Sequence, residues 1–450
     1  MATKRHVAHV TLEALTPLKV GSQSVDFLQD SPVQKDWNNL PMILGSSIAG
    51  VLRVKFQDKF KDKTDDIFGK ENGSKIIISN ALLLDKTAKV CETLLLEKDD
   101  FLSLFENLPL REHTAINEKG LAIDRSKFNE EVVFKGSKFK FSIELVEDDK
   151  ESFNDILSLL IDDDFRLGGG SSKGFGEFEI KRIRYGYLDV SEYSSSLNFE
   201  LKNVYSNKTQ DLELKNVYQK QSQTGQKLTK YELNITPDNF FMFGSGFGDS
   251  DADMTPVFEQ TISYDTSSIS NPKVLIPASS IKGALLHRTL YHICKLEGIT
   301  VDKSFEEALR EAKKRKDIKD LKDLVVPLFG EEKNTDKKGK KGNILMSDCF
   351  KANDAQTKIF DHVSIDRFTG GAMDGMLFQE KTIAKDKDSY LIKISIKNEQ
   401  NIGENLIKAF ENALLDVTLG RLPLGGATTK GHGIFSGKVL KNGTELKESK

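Results

Sequence analysis

Two glycine-rich stretches carry the clearest chemical signal in the sequence: LGGGSSKGFG, from Leu167 to Gly176, and LGGATTKGHG, from Leu424 to Gly433. Closely spaced glycines let backbone N–H groups converge on an anion, and Lys173, Lys430 and His432 stand where they would add charge against a bound phosphate. Taken singly, such a stretch is as readily a turn before a strand. Two copies in register, each followed by a β-like run, are better explained by a repeated ligand and by two homologous domains.

Hydroxyls and cations recur at a second pair of places. Gly45-Ser46-Ser47 and Ala278-Ser279-Ser280 each open an apolar pattern of helical spacing. Ser46, Ser47, Ser279, Ser280 and Lys282 therefore lie at helix starts, where free N–H groups and the helix dipole favour phosphate oxygens, and Ser46 or Ser47 is a natural N-cap. Arg53 and Arg288 follow further down the same helices. Each residue alone is an ordinary surface residue; the repeated set fits a repeated ligand. Acids gather upstream of both helix starts, with Asp26, Asp30 and Asp36 in one loop and Asp249, Asp251 and Asp253 in the other. An aspartate ahead of Ser-Pro, as Asp30 is, reads by itself as a turn or capping residue.

The elements that must position these groups follow one order twice. In the first half, residues 5–20 alternate as a strand; a loop and a helix follow, then the strand KIIISNALLL, a hairpin region from His113, the strand FKFSIELVE, a helix in DDKESFNDILSLL and the glycine loop. The second half repeats this from KYELNITP, with strands in GNILMSDCF and YLIKISI and a helix in NLIKAFENALLDVTLG. Strand, helix, strand, strand, helix, strand implies an α+β fold: two tandem ferredoxin-like units, helices on one face of an antiparallel sheet. The boundaries read as 1–185, a polar linker at 186–230, and 231–450. The linker carries LKNVY at 201–205 and again at 214–218, a hairpin or a true linker; the residues leave both open. A Lys- and Glu-rich insertion near 302–342 reads as a solvated charged helix and loop rather than a specific RNA contact.

A chain of 450 residues exceeds one ordinary core. With 38% hydrophobic and 30% charged residues and no apolar run near the ~20 residues of a membrane span, the expectation is a soluble, cytoplasmic protein without a signal peptide or membrane partner. Cys91, Cys294 and Cys349 lack CxxC spacing, which argues against a disulfide framework or zinc site and for buried or half-buried thiols. A formal charge of -3 leaves nucleic-acid binding open, because local patches decide it.

Four features together resemble one family. DSPVQKD, Asp30 to Asp36, stands just ahead of LPMILGSSIAGVLR; LIPASSIKGALLHR, from Leu275, is a fuller form of the same helix start; IDRFTGGAMDGMLFQE runs from Ile365 to Glu380; and the glycine loops complete the set. These resemble the RAMP superfamily (repeat-associated mysterious proteins), in particular the backbone subunits of type III CRISPR effector complexes, here as a fusion of two subunits like those of type III-D-like systems. The first half departs from the pattern, with Ile116-Asn117 where the second has Ile365-Asp366-Arg367, and Leu44-Gly45 and Ala49 where the second has Pro277-Ala278 and Lys282.

The resemblance implies two RAMP domains with thumb-hairpin insertions that bind guide CRISPR RNA among other subunits of an effector complex, with complementary target RNA cut by metal-dependent endonucleolysis using Mg2+ or another divalent metal. Asp30 falls at the family's catalytic position. Asp26 counts opposite Asp249 and Asp30 lies within one residue of Asp253, so Asp253 is favoured in the second half, with Asp249 and Asp251 as alternatives; Asp30 and Asp253 would also be the metal ligands. Arg367 joins the RNA-binding set. Met373, Met376, Leu377 and Phe378 would be apt wedges against a base step, or a hairpin packed on its own domain. Two other functions fit the same residues: a non-catalytic RNA-binding scaffold, and a guide RNA-processing nuclease with His113 or His432 as general base.

Overall fold

The computed structural model describes residues 4–22, 30–60, 63–70, 73–117, 120–189, 210–211, 228–299, 307, 310, 320–331, 339–351, 355–385 and 389–448. Asp26, both LKNVY copies and most of the stretches 186–230 and 302–342 lie outside the described residues.

The first half builds β1 (Lys4–Ala14), α1 (Gly45–Lys59), β2 (Ile76–Ile78), β3 (Ala81–Leu83), a hairpin of β4 (Leu110–His113) and β5 (Phe128–Glu131), β6 (Lys138–Leu145), α2 (Lys150–Leu160) and β7 (Phe178–Asp189). Its sheet runs β2 and β3 beside β6, then β1, then β7, with all these pairs antiparallel. The second half repeats the plan with β8 (Thr229–Pro237), α3 (Ala278–Leu296), β9 (Ile344–Met346), a hairpin of β10 (Thr357–Ile365) and β11 (Ala372–Ala384), β12 (Tyr390–Ile396), α4 (Glu404–Thr418) and β13 (Phe435–Lys441), in the order β9-β12-β8-β13. Both halves are therefore ferredoxin-like, each with a hairpin inserted between its second and third sheet strands.

Local pattern explains the elements. In β6, Phe139, Phe141, Ile143 and Leu145 are buried and alternate with half-buried polar residues, the period of two that a one-sided sheet requires. In α2, Phe153, Ile156, Leu157 and Leu160 recur at helical spacing and join the first core, while Asp149 caps the start by accepting from the Ser152 N–H at 3.0 Å. In α4, Leu406, Phe410, Ala413, Leu414 and Val417 do the same for the second core.

Three expectations change. The strand read over 5–20 ends at Ala14; Leu18 makes only an isolated bridge to Val133. KIIISNALLL breaks at Ser79-Asn80 into β2 and β3. That break supplies the cap expected of Ser46 or Ser47: Asn80 Oδ1 accepts from the Gly45 N–H at 2.8 Å, so α1 begins at Gly45 with Leu44 as N-cap, and both serines fall inside the first turn. Asp348 does the same in the second half, its Oδ1 accepting from the Ala278 N–H at 2.8 Å. Gly45 is required for close approach, since a Cβ there would stand 2.3 Å from the Ile78 carbonyl oxygen.

The halves lock through buried charge. The Arg111 guanidinium on β4 donates to Glu259 Oε2 and to Asp348 Oδ2, both at 2.6 Å, and lies 4.8 Å over the Phe175 ring. Beside it Arg166 donates to Ser347 Oγ at 3.1 Å, and Ser347 donates to Glu177 at 2.6 Å. The first glycine loop thus rests on the break after β9 and the start of α3. Gly174, at φ +113, has no room for a side chain there, because a Cβ would meet Asp348 Oδ1 at 2.0 Å.

Candidate nucleic-acid interface

Each hairpin holds an acidic loop against one strand. In the first half Asp30 Oδ2 accepts from the Asn129 N–H at 2.9 Å, the Asp30 N–H donates to Asn129 Oδ1 at 3.0 Å, and the Glu131 N–H donates to the Ser31 carbonyl at 3.2 Å. In the second, Asp253 Oδ2 accepts from the Gln379 N–H at 2.7 Å and the Lys381 N–H donates to the Met254 carbonyl at 2.8 Å. Asn129 and Gln379, and Glu131 and Lys381, hold the same places on β5 and β11, so Asp30 and Asp253 are geometric equivalents, and both are exposed. The bridges Gly21 to Val33 and Gly244 to Pro256 give the same register. Pro32-Val33 and Pro256-Val257 are therefore one residue out of step, which accounts for the offset seen in the sequence. Asp249 is placed differently: its carboxylate accepts from the Asp251 and Ala252 N–H groups and pairs with Lys381, whose hydrogen bond holds it below the usual carboxylate range. Asp251 pairs with the same lysine.

Behind both acids lies a second duplicated arrangement that sequence reading missed. Phe128 stacks on His113, centroids 5.0 Å apart at 19°, and Phe378 stacks on His362, 4.9 Å apart at 25°. Lys173 approaches the Phe128 ring at 5.9 Å and Lys430 the Phe378 ring at 4.6 Å. Two residues on, Glu130 and Glu380 are buried among lysine and histidine side chains. Glu130 pairs with Lys19 and, at 2.7 Å, with His113; Glu380 pairs with Lys430 at 3.1 Å and with His362 and His432 at 3.3 Å each. Burial, and then the charges of Arg111, Lys173 and Lys19, push the His113 imidazole down to about 4. The available signal was the repeated tripeptide, Phe128-Asn129-Glu130 and Phe378-Gln379-Glu380.

The remaining candidates divide. Arg367 is exposed in the turn of the second hairpin, whose Asp366 carboxylate accepts from the Phe368 N–H at 3.0 Å and the Thr369 hydroxyl at 2.8 Å. Met373, Met376 and Leu377 are exposed on β11, whereas Phe378 is half-buried in its stack on His362; Phe368, 99% exposed at the tip, was missed. Arg288 is tied to the buried Asp416 of α4 at 2.6 Å, and Arg53 makes a surface pair with Asp65 at 3.0 Å. Lys282 donates to Ser172 at 3.1 Å, joining the second helix start to the first glycine loop. Ser46 and Ser280 are exposed and Ser47 and Ser279 half-buried at their helix starts.

The glycine loops owe much of their composition to packing. The Gly169 and Gly176 N–H groups donate to the Lys19 and Pro17 carbonyls, and those of Gly426 and Gly433 to Met242 and Phe240. A Cβ at Gly168 or Gly425 would stand 2.3 Å from the carbonyl oxygen of Lys19 or Met242. These groups hold the loop to the chain and do not face an anion, so the cradle expected from glycine spacing is reduced to the Lys side chains and the remaining N–H groups.

Among the described residues no three His, Cys, Asp or Glu side chains gather to hold a metal ion. A lone exposed carboxylate fits a hard cation that keeps waters and shares phosphate oxygens, not an all-protein cage. All three cysteines are free, Cys91 half-buried and Cys294 and Cys349 buried. Among the described residues no helix is long and apolar enough to cross a membrane.

Comparison with known proteins places the chain in one family and finds similar chains among solved structures. Residues 11–179 and 267–436 match the model of the RAMP superfamily. No curated protein matches the sequence. Among solved structures, a chain from the cryo-EM structure of the type III-B Cmr-beta complex bound to cognate target RNA is 21% identical with a TM-score of 0.32, over 40% of this chain and 61% of that one.

Proposed function

The chain belongs to the RAMP superfamily, matched in both halves, and from that premise we propose that it is a fused, two-module backbone subunit of a type III CRISPR effector complex, binding guide CRISPR RNA and cutting complementary target RNA. The observation that carries this reading is the duplicated clamp: an exposed carboxylate, Asp30 or Asp253, fixed to a hairpin strand by a backbone N–H. A backbone amide on one oxygen fixes the direction in which the other oxygen faces.

The chain's own residues would act as follows. The hairpin of β10 and β11 offers Phe368, Met373, Met376 and Leu377 as apolar surface against an unstacked base step, which opens the strand beside the acid. Lys173 and Lys430, over the phenylalanines that neighbour the clamping residues, bring positive charge toward the backbone. Asp30 and Asp253 would each hold a divalent ion, Mg2+ or another, together with phosphate oxygens; such an ion supplies charge stabilisation to the developing oxyanion.

The test is to incubate the assembled complex with labelled complementary RNA, with magnesium and with EDTA, and to map the cuts. Asp30→Ala and Asp253→Ala should each remove one product and leave binding intact, and EDTA should remove both. Cuts that persist in EDTA but vanish on replacing His113 or His432 would replace this reading with histidine-based processing. Binding without any cut would make the chain a scaffold.

A further inference from the structure

One aromatic ring is fixed between the two acids. Phe247, on the second acidic loop, is 58% exposed. Single apolar side chains are common on protein surfaces, so exposure alone decides nothing; the way this residue is anchored does. The Phe247 N–H donates to Ser245 Oγ at 3.1 Å, the Thr255 hydroxyl donates to the Phe247 carbonyl at 2.9 Å, and the Ser245 N–H donates to the Thr255 carbonyl at 2.9 Å. The ring is tied from the other module: the Lys127 ammonium of the first hairpin lies 4.9 Å from its centroid, and Lys127 is itself held by Glu112 at 3.1 Å. Gly246 passes against the same glutamate, where a Cβ would stand 3.0 Å from the Glu112 Cβ.

Both sides of this contact lead to an acid. Lys127 stands two residues before Asn129, which clamps Asp30. Phe247 stands next to Gly248, where the loop closes so tightly that a Cβ would lie 3.0 Å from the Asp253 Cα and 2.6 Å from the Ala252 carbonyl oxygen. Consecutive Cα atoms are ~3.8 Å apart, which puts the Phe247 backbone within about 9 Å of that of Asp253. A strand of RNA that visits both acids has the ring on the short path between them. The ring also belongs to one loop only. The bridges Gly21 to Val33 and Gly244 to Pro256 fix the register, the loops are equally long from those glycines to Asp30 and Asp253, and Ser24 therefore stands opposite Phe247 in the sequence.

We propose that Phe247 is a stacking platform for one nucleobase of the target RNA strand beside Asp253, with Lys127 holding the ring in place. The proposal rests on the reading of Asp253 as an acid that acts on target RNA, and it makes Phe247 a positioning residue, not a catalytic one. A ring whose backbone and face are already tied loses little freedom when a base lies on it, and every base offers a π-face, so the contact is tolerant of sequence. Holding that base sets where the neighbouring phosphate stands relative to the carboxylate. Ser24 offers no such face, so the effect is confined to the cut made at Asp253.

The experiment uses the full chain in its assembled complex and complementary RNA carrying 5-iodouridine at one position at a time, irradiated in EDTA so that no cut is needed. One target position should cross-link to Phe247; Phe247→Leu, which keeps an apolar side chain but no π-face, should lose that cross-link, and Phe247→Trp should keep it. With magnesium, Phe247→Leu should slow the cut that depends on Asp253 about fivefold or more and leave the cut that depends on Asp30 unchanged, and Phe247→Trp should restore the rate. Cross-links from a labelled guide strand alone, equal slowing of both cuts, or no cross-link together with unchanged cutting in Phe247→Leu would overturn the proposal while leaving the nuclease reading in place. So would failure of Phe247→Leu to assemble before RNA is added, which would make the ring a contact between subunits. A cross-link to Phe247 and weaker target binding in Phe247→Leu, with no cut by any form of the protein, would keep the stack and overturn the nuclease reading instead.

Discussion

Arg111 offers the sharpest energetic test of how the two modules are joined. Its side chain is 5% exposed, that of Glu259 3% and that of Asp348 0%, so Arg111→Met keeps roughly the same bulk but leaves two carboxylates without their cation. Asp348 keeps the Ala278 N–H; Glu259 keeps no such donor, and its second oxygen already has no hydrogen-bond partner. Breaking a buried pair from one side costs about 3–5 kcal/mol. Burial already raises the Glu259 carboxyl despite the pull of Arg111, and losing Arg111 must raise it further. A carboxyl raised above its unfolded value binds a proton in the folded state first, so the penalty grows as pH rises and shrinks toward pH 5. Urea unfolding at pH 7 and pH 5 should therefore show a loss of about 3 kcal/mol or more at pH 7 and a smaller one at pH 5. Adding Glu259→Gln should recover at least about 1 kcal/mol of it. A loss below about 1 kcal/mol at pH 7, or no recovery in the double variant, would refute the account of this cluster.

Asp30→Ala and Asp253→Ala each remove one exposed hydrogen bond, so thermal unfolding should show a loss of no more than about 1 kcal/mol, separating any loss of cleavage from loss of fold. Phe368→Ala, at a tip residue with no packing to lose, should leave stability within about 0.5 kcal/mol while weakening complementary-RNA binding in the assembled complex. His9 and His113 are both pushed down to about 4 from an ordinary 6.5, so the unfolded chain takes up protons first as pH falls. Their stability contribution is complete above pH 6.5 and is lost on the way to pH 4, approaching about 3 kcal/mol for His9; denaturation midpoints across pH 7.5 to 4.5 should fall accordingly, and His9→Gln should flatten that fall.

What the sequence made legible was whatever depends on neighbours along the chain. Period two in β6 and helical spacing in α2 and α4 follow from burying one face, and the twice-used order of elements led to the ferredoxin-like plan. What it hid depends on residues far apart. Asn80 caps a helix that starts at Gly45, and Asp348 caps one that starts at Ala278; from sequence the adjacent serines were the natural candidates. The glycine loops looked like anion cradles because glycine spacing is common to both uses, and only the neighbouring carbonyls of Lys19 and Met242 show how closely the backbone must pass. The buried glutamates went unnoticed because nothing in a surface-like Asn-Glu or Gln-Glu pair announces that a histidine and a lysine will converge on it.

The two hairpins also differ in a way that bears on function. The first is short, four residues to a strand, and Arg111 pins it to the second module. The second has strands of nine and thirteen residues, and its exposed apolar side chains include Val363, Ile365, Phe368, Met373, Met376 and Leu377. Strands of that length extend ~30–40 Å. An exposed apolar hairpin marks a surface that is covered in use, and an unstacked RNA strand supplies flat apolar faces where a protein core would supply side chains. The first hairpin also exposes Leu110, Ile116, Leu121 and Ile123, so the two differ in reach rather than in apolar character, and on the proposed reading the longer hairpin would carry its apolar surface farther along an RNA strand.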